Sequence, residues 1–94
     1  MTERNKEWLF ELVEKENASQ VRKWGVQNLT PFEWMTLLTE EVGELARAIS
    51  ELKFRIGTRR EVVDESIQVA TLSLKIAEMF GERAEEDQNE DLNY

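Results

Sequence analysis

The chain has 94 residues, of which 40% are hydrophobic, so it is long enough for one small domain and too short for two. It contains no cysteine and no histidine, which excludes disulfide frameworks, thiolate zinc sites, cysteine nucleophiles and every histidine-containing triad. Twelve basic residues face 20 acidic ones, and the net charge of −8 argues against binding of nucleic acid through its phosphates.

The distribution of charge and hydropathy predicts a cytoplasmic protein with no membrane partner. No apolar run approaches the roughly 20 residues that span a bilayer, and the first residues lack the apolar core of a signal peptide. Residues 82–94 contain six acidic residues and one arginine. We therefore predict a single domain over residues 1–81, followed by an acidic C-terminal segment over 82–94 that is a short helix or a disordered tail.

The first predicted helix covers about residues 3–23. Apolar side chains recur along one side of it, with Trp8 expected in the core, and polar residues 15–20 interrupt this pattern. The apolar residues are Trp8, Leu9, Leu12, Val13 and Val21.

The second predicted helix begins with a capping box, in which Thr30 caps the helix, Pro31 occupies the first turn and Glu33 reaches back. Leu29 and Trp34 can form a hydrophobic staple. Apolar residues then recur at spacings of three and four up to Gly57, which we expect to close the helix. They are Met35, Leu38, Val42, Leu45, Ile49, Leu52 and Ile56.

The third predicted helix begins at a second capping-box pattern, Thr58 to Glu61, and reaches about Phe80, with Gly81 as its end. Its apolar residues fall on two stripes, and a chain of this length has few elements to cover both. We therefore predict an all-α helical bundle of three long or medium helices plus the short C-terminal segment, with a core completed by dimerisation as a homodimer or a dimer of dimers.

Carboxylates cluster on the second and third helices. Glu40, Glu41 and Glu44 lie one turn apart on the second helix, and Glu61 and Asp64 lie one turn apart on the third. A short connection through Gly57 makes the helices antiparallel neighbours, so these acids can face each other.

Convergence of these acids predicts a metal site. Two charges about 5 Å apart repel by roughly 3 kcal/mol at an effective dielectric of 20. A convergent cluster therefore needs a hard cation, and an all-oxygen ligand set suits magnesium, with manganese as a possible substitute. The alternative is a solvated acidic helix face, with Glu61 acting only as a capping-box acid.

Gly43 lies between two of these acids, inside a helix, where glycine is unfavourable by about 0.8–1.0 kcal/mol relative to alanine. Its position indicates close approach by another backbone or by a ligand, and tight helix packing is the alternative.

The pattern Glu40-Glu41-Val42-Gly43-Glu44-Leu45, followed by Glu61-Val62-Val63-Asp64, resembles the E-E-x-x-E and E-x-x-D signature of the MazG-like all-alpha nucleoside triphosphate pyrophosphohydrolases. The approach segment Lys23-Trp24-Gly25-Val26-Gln27-Asn28 is also similar to the small single-domain members. The resemblance covers about residues 20–80.

This resemblance implies a magnesium-dependent reaction in which water attacks the α-phosphorus of a nucleoside triphosphate, giving the monophosphate and pyrophosphate, with a role in clearing unwanted nucleotides. Glu41, Glu44, Glu61 and Asp64 would hold the metal. Glu40 would bind a further ion or orient a water, so Glu40 and Glu41 are the candidate catalytic residues. Metals on carboxylates can activate water without histidine.

Five residues are candidates for substrate binding. Trp24 could stack on a nucleobase and Gln27 or Asn28 could hydrogen-bond it, although a tryptophan such as Trp24 is more often simply part of the core. Gln68 and Lys75 continue the polar line of the third helix, where Lys75 could bind phosphate and Gln68 could line the site or bond inside the bundle.

Two other interpretations stay open. One is a dUTPase-like enzyme or a phosphoribosyl-ATP pyrophosphohydrolase of the same superfamily, which would share the acids and differ in the pocket. The other is a non-catalytic helical dimer that binds a basic partner through its acidic tail. A di-iron carboxylate bundle is disfavoured because such sites use Glu-x-x-His pairs.

Overall fold

The computed structural model describes residues 5–25 and 29–89, without the side chains of residues 24, 82, 83 and 85–89. This part of the chain forms three α-helices and no strand, as the sequence predicts: α1 (Glu7–Trp24), α2 (Pro31–Lys53) and α3 (Arg59–Asn89).

The predicted capping box forms completely at the start of α2, and the threonine half of it forms at the start of α3. At α2 the Thr30 hydroxyl accepts from the Glu33 N–H at 3.2 Å, and the Glu33 carboxylate accepts from the Thr30 N–H at 3.1 Å. At α3 the Thr58 hydroxyl accepts from the Glu61 N–H at 3.2 Å. These bonds satisfy N–H groups that have no partner within the helix, and they fix where each helix begins.

The turn between α2 and α3 differs from expectation, because α2 ends at Lys53 and not at Gly57. The left-handed residue that reverses the chain is Arg55, with a φ of 64°. A Cβ atom on Gly57 would lie 3.0 Å from the Glu51 Cβ. Gly57 is therefore required because it packs tightly against the last turn of α2.

The expected helix end at Gly81 is wrong, because α3 continues through this glycine to Asn89. A glycine ends a helix when it adopts a left-handed conformation, and among the described glycines only Gly25 has a positive φ. Gly81 therefore lowers the stability of a helix that neighbouring helix-forming residues continue. Residues 82–89 belong to α3, and residues 90–94 lie outside the described part.

The packing is centred on α3, which contacts both α1 and α2, while α1 and α2 make no close backbone contact within the described ranges. Only three apolar side chains of these ranges are buried: Trp34, Ala48 and Leu72. Trp8, which the sequence placed in the core, is 54% exposed. The apolar core within one chain is therefore small.

Many large apolar side chains remain well exposed. They include Trp8, Phe10, Val21, Phe32, Met35, Val42, Ile49, Phe54, Ile56, Leu74, Met79 and Phe80. None of the three helices, over the residues described, combines the length and apolarity that a membrane crossing requires.

Candidate functional site

A cleft lies where the middle of α2 faces the first half of α3, and we call it the acidic cleft. Its volume is about 560 Å³, and it is lined by Thr39, Glu40, Glu41, Gly43, Glu44, Glu65 and Gln68. Three of the predicted site acids, all from α2, and one predicted substrate-binding residue, from α3, therefore meet here.

Glu41 occupies the most unusual environment in this cleft. The pKa of its carboxyl is raised to about 7, first by burial and then by a hydrogen bond with Glu65 and the negative charge of Glu65. The charges of Glu44 and Glu16 act in the same direction. Carboxylates gathered this closely favour a bound proton, or another cation in its place.

Glu65 presents a carboxylate oxygen with no fixed donor. Its Oε2 atom is shielded from solvent, and no hydrogen-bond partner reaches it within the described residues. A buried acceptor of this kind is unfavourable unless something satisfies it. A proton on a neighbouring carboxyl or a bound cation would do so.

Gln68 holds the Glu41 carboxylate from the α3 side. With its amide nitrogen facing Glu41, it lies 3.1 Å and 3.3 Å from the two carboxylate oxygens. It also lines a second cleft of about 340 Å³ on the α1 side of α3, together with Leu12, Lys15, Glu16, Asp64 and Ile67. Gln68 therefore stands between the two clefts.

Two of the predicted metal ligands form local ion pairs. Glu44 pairs with Arg47 one turn further along α2. Asp64 pairs with Arg60, whose Nε lies 3.1 Å from the Asp64 Oδ1. All four side chains are largely exposed, so these pairs are weak and a stronger cation can displace them.

Glu61 and Glu40 are both exposed. Glu61 lies in the first turn of α3 and lines neither cleft, whereas Glu40 lines the acidic cleft. As the side chains lie, no three carboxylates between residues 5 and 25 or 29 and 89 are arranged to hold a metal ion together. Asp64 lines the cleft on the α1 side of α3 and Glu61 lines neither cleft, so these two predicted ligands do not meet the acids of α2.

Lys75 lies further along α3, in a polar cluster with α1. Its ammonium donates to the Gln20 Oε1, and the Gln20 Nε2 donates to the Glu16 Oε2 at 2.9 Å. The Lys75 Nζ also lies 5.5 Å from the centroid of the Trp34 ring. Burial lowers the pKa of Lys75, and the charges of Glu16 and Glu78 partly offset this.

The predicted base-binding residues cannot be placed. Gln27 and Asn28 lie outside the described residues, as does the side chain of Trp24. Their proposed roles stay predictions.

Three residues of these clusters were missed in the sequence: Glu16, Gln20 and Glu65. Glu65 lies on the same face of α3 as Gln68 and Lys75, at helical spacing. It was missed because the adjacent Asp64, and not Glu65, completes the E-x-x-D pattern. Glu16 and Gln20 lie one turn apart within the polar interruption of the first apolar stripe. That interruption was the signal that could have identified them.

Comparison of the chain with protein-family profiles, with curated proteins and with solved structures found no match.

Proposed function

We propose that the chain is a magnesium-dependent nucleoside triphosphate pyrophosphohydrolase of the MazG-like type. The single observation that carries the proposal is that the carboxyls of Glu41 and Glu65, from α2 and α3, lie close enough in the acidic cleft for a hydrogen bond between them, a position that a cation can take instead. The resemblance in the sequence supplies the reaction, and the cleft supplies a location for it.

The residues present fit a divalent cation. Their donors are all carboxylate or amide oxygens, which suit magnesium or manganese. Glu41 and Glu65 would hold the ion from the walls of the cleft, joined by Glu44 after its release from Arg47. Glu61 lines neither cleft and Asp64 lines the cleft on the α1 side, so these two acids would complete the ligand set only by turning toward the acidic cleft. When bound, the metal supplies neutralisation of phosphate charge and activation of water.

The chain's own residues then position the reactants. Gln68 fixes the Glu41 carboxylate by donating to both of its oxygens. Glu40, at the rim of the cleft, orients the attacking water. Water adds to the α-phosphorus, the bond from this phosphorus to the bridging oxygen breaks, and pyrophosphate leaves.

We further propose a homodimer, itself able to pair into a dimer of dimers, in which a second copy covers α2. Met35, Val42 and Ile49 repeat at seven-residue intervals and are 54%, 47% and 53% exposed. This spacing is typical of the contact between two packed helices. Two copies of the same stripe can pack against each other about a two-fold axis, as in a homodimer. A Cβ on Gly43, which lines the acidic cleft, would meet nothing within 4 Å in the chain, so tight helix packing within the chain does not account for this glycine.

The proposal is tested by measuring pyrophosphate release from a panel of ribo- and deoxynucleoside triphosphates, with magnesium and with a chelator. We expect stoichiometric pyrophosphate and nucleoside monophosphate with at least one substrate, only in the presence of the metal. Absence of release across the whole panel would contradict it. The panel also separates a general enzyme from a dUTPase-like one, and phosphoribosyl-ATP is included as a substrate for the same purpose.

The exposed apolar residues also favour a second candidate, a non-catalytic dimeric interaction module. The melting temperature distinguishes the two. A magnesium ion with a nonhydrolysable nucleotide binds only the folded enzyme, and ligand at 100 times its Kd would stabilise it by about 2.7 kcal/mol. A binding module would show no change.

A further inference from the structure

Gln20 is a buried amide whose two ends are both engaged. Its side chain is 3% exposed at the contact between α1 and α3. The nitrogen donates to Glu16, and the oxygen accepts from the Lys75 ammonium. Because a buried amide is unfavourable unless it is hydrogen-bonded, a leucine or methionine would fill this position with less risk to stability.

The neighbouring carboxylate determines which way this amide points. The charged Glu16 side chain can only accept hydrogen bonds, so it selects the NH₂ end of Gln20. The carbonyl end is thereby directed at Lys75. The order Glu16, Gln20, Lys75 therefore specifies one orientation of the amide and one position of the ammonium.

Trp34 restricts the ammonium on another side. The Lys75 Nζ lies 5.5 Å from the centroid of the Trp34 ring, within the range of a cation–π contact. An ammonium has three N–H groups, and the Gln20 oxygen takes one of them. Lys75 is thus held in place with donors left for a ligand.

The position of Lys75 relative to the acidic cleft indicates what that ligand is. Seven residues separate Gln68 from Lys75 along α3, which corresponds to about 10 Å. A positive charge about 10 Å along α3 from a residue of the acidic cleft is suited to a substrate that carries several negative charges in a row. A polyphosphate chain has this character.

We propose that Gln20, oriented by Glu16, is a positioning residue that fixes the Lys75 ammonium for contact with a phosphate oxygen of the substrate. This inference rests on the proposed function, because it assumes a triphosphate in the acidic cleft. It assigns to α1 a part in substrate binding that is separate from the carboxylates of α2 and α3.

The first measurement is kinetic, with Q20M, K75M and the double variant, and with N17M as a matched control on the exposed side of α1. We expect Q20M to raise KM about tenfold with a smaller change in kcat, the effect of losing one hydrogen bond to a charged group. The double variant should be no worse than K75M, because both act on the same contact. Additive losses, or a Q20M that behaves as N17M does, would overturn the proposal.

The second measurement does not depend on turnover. The ¹⁵Nζ resonance of Lys75, assigned by its absence in K75M, is followed as inorganic tripolyphosphate and magnesium are added. We expect a shift in the wild type and in N17M, and at least a tenfold higher tripolyphosphate concentration for the same shift in Q20M. Equal titrations of wild type and Q20M would overturn the proposal.

The two measurements separate failure of this proposal from failure of the proposed function. If no nucleotide is hydrolysed but tripolyphosphate shifts the Lys75 resonance in the wild type and not in Q20M, the positioning role stands and the proposed reaction is wrong.

If Q20M does not fold by circular dichroism, E16Q replaces it, because this change removes the charge that orients Gln20. An E16Q variant with unchanged KM and an unchanged tripolyphosphate titration would overturn the proposal.

Discussion

With the side-chain amide of Gln68 oriented so that its nitrogen faces Glu41, this nitrogen lies 3.1 Å and 3.3 Å from the two Glu41 carboxylate oxygens, and the contact joins α3 to α2 in the acidic cleft. Gln68 donates to the ionised form of Glu41, which opposes the burial and like charges that raise the pKa of the same carboxyl to about 7. The carboxyl is therefore balanced between a protonated form that satisfies Glu65 and an ionised form that a metal can use.

Replacement of Gln68 by methionine tests this balance. The substitution keeps the length of the side chain and removes the donor, so we expect the pKa of Glu41 to rise above its wild-type value in the metal-free protein. Titration of the ¹³C-labelled Glu41 carboxyl by NMR measures it. S73M, at an exposed position of the same helix, is the control and should leave this pKa unchanged. A Glu41 pKa that falls or stays constant in Q68M would contradict the contact.

The stability of the metal-free protein should depend on pH through Glu41. Its pKa is about 7 when folded and 4.5 as the unperturbed value, so between these pH values the folded state binds more protons than the unfolded state. This group therefore makes the free energy of unfolding fall as pH rises from about 4.5 to 7, with no further change from it above that range.

Chemical denaturation in a chelator at a series of pH values measures this dependence. E41Q has no proton to lose at position 41, so its unfolding free energy should fall less over the same range than that of the wild type. E14Q, an exposed acid on α1, controls for the general effect of removing one negative charge. An E41Q profile parallel to that of E14Q would show that the Glu41 carboxyl does not titrate as described.

The same carboxyls should govern activity. E41Q, E65Q and D64N each remove a charge without changing shape, so we expect loss of turnover by two orders of magnitude or more, with helicity retained by circular dichroism. E14Q should keep wild-type activity. Wild-type turnover by both E41Q and D64N would contradict the assignment of the site. Wild-type turnover by E65Q alone would show that Glu65 is not a metal ligand and that only the acids identified in the sequence bind the metal.

The helices were predictable because local residues define their starts. Thr30 and Thr58 each lie three residues before a glutamate, and the backbone hydrogen bonds that follow from this spacing are present. The helix ends were less predictable, because a glycine's effect depends on its surroundings. Gly57 packs against the end of α2, and Gly81 lies inside α3, although both look like helix ends in the sequence.

The site was predictable only in part, because spacing shows which residues share a face and not which neighbour that face meets. The sequence identified Glu41 and Gln68, but their contact depends on the register between α2 and α3. The same register between α2 and α3 brings Glu65 into the acidic cleft. Gln20 was counted as an interruption of an apolar stripe, since only the packing of α1 on α3 brings it to Lys75.

The exposed stripe of Met35, Val42 and Ile49 on α2 is the proposed dimer seam. If a second copy covers Met35, Val42 and Ile49, a charge in the middle of this stripe should be buried unpaired in the dimer and solvated in the monomer. We therefore expect V42D to sediment as a monomer at micromolar concentration, where the wild type sediments as a dimer. Because Val42 is 47% exposed in the single chain, helicity should be largely retained.

T36D is the matched control for this experiment. Thr36 is exposed on α2, about 120° around the helix from Val42, and its hydroxyl donates to the Phe32 carbonyl of the same helix at 3.1 Å. We expect this variant to stay dimeric. A wild type that sediments as a monomer would rule out the seam, and a V42D variant that stays dimeric would move the interface to the exposed apolar residues of α1 and α3. Pyrophosphate release by a monomeric V42D would show that one chain builds a complete site.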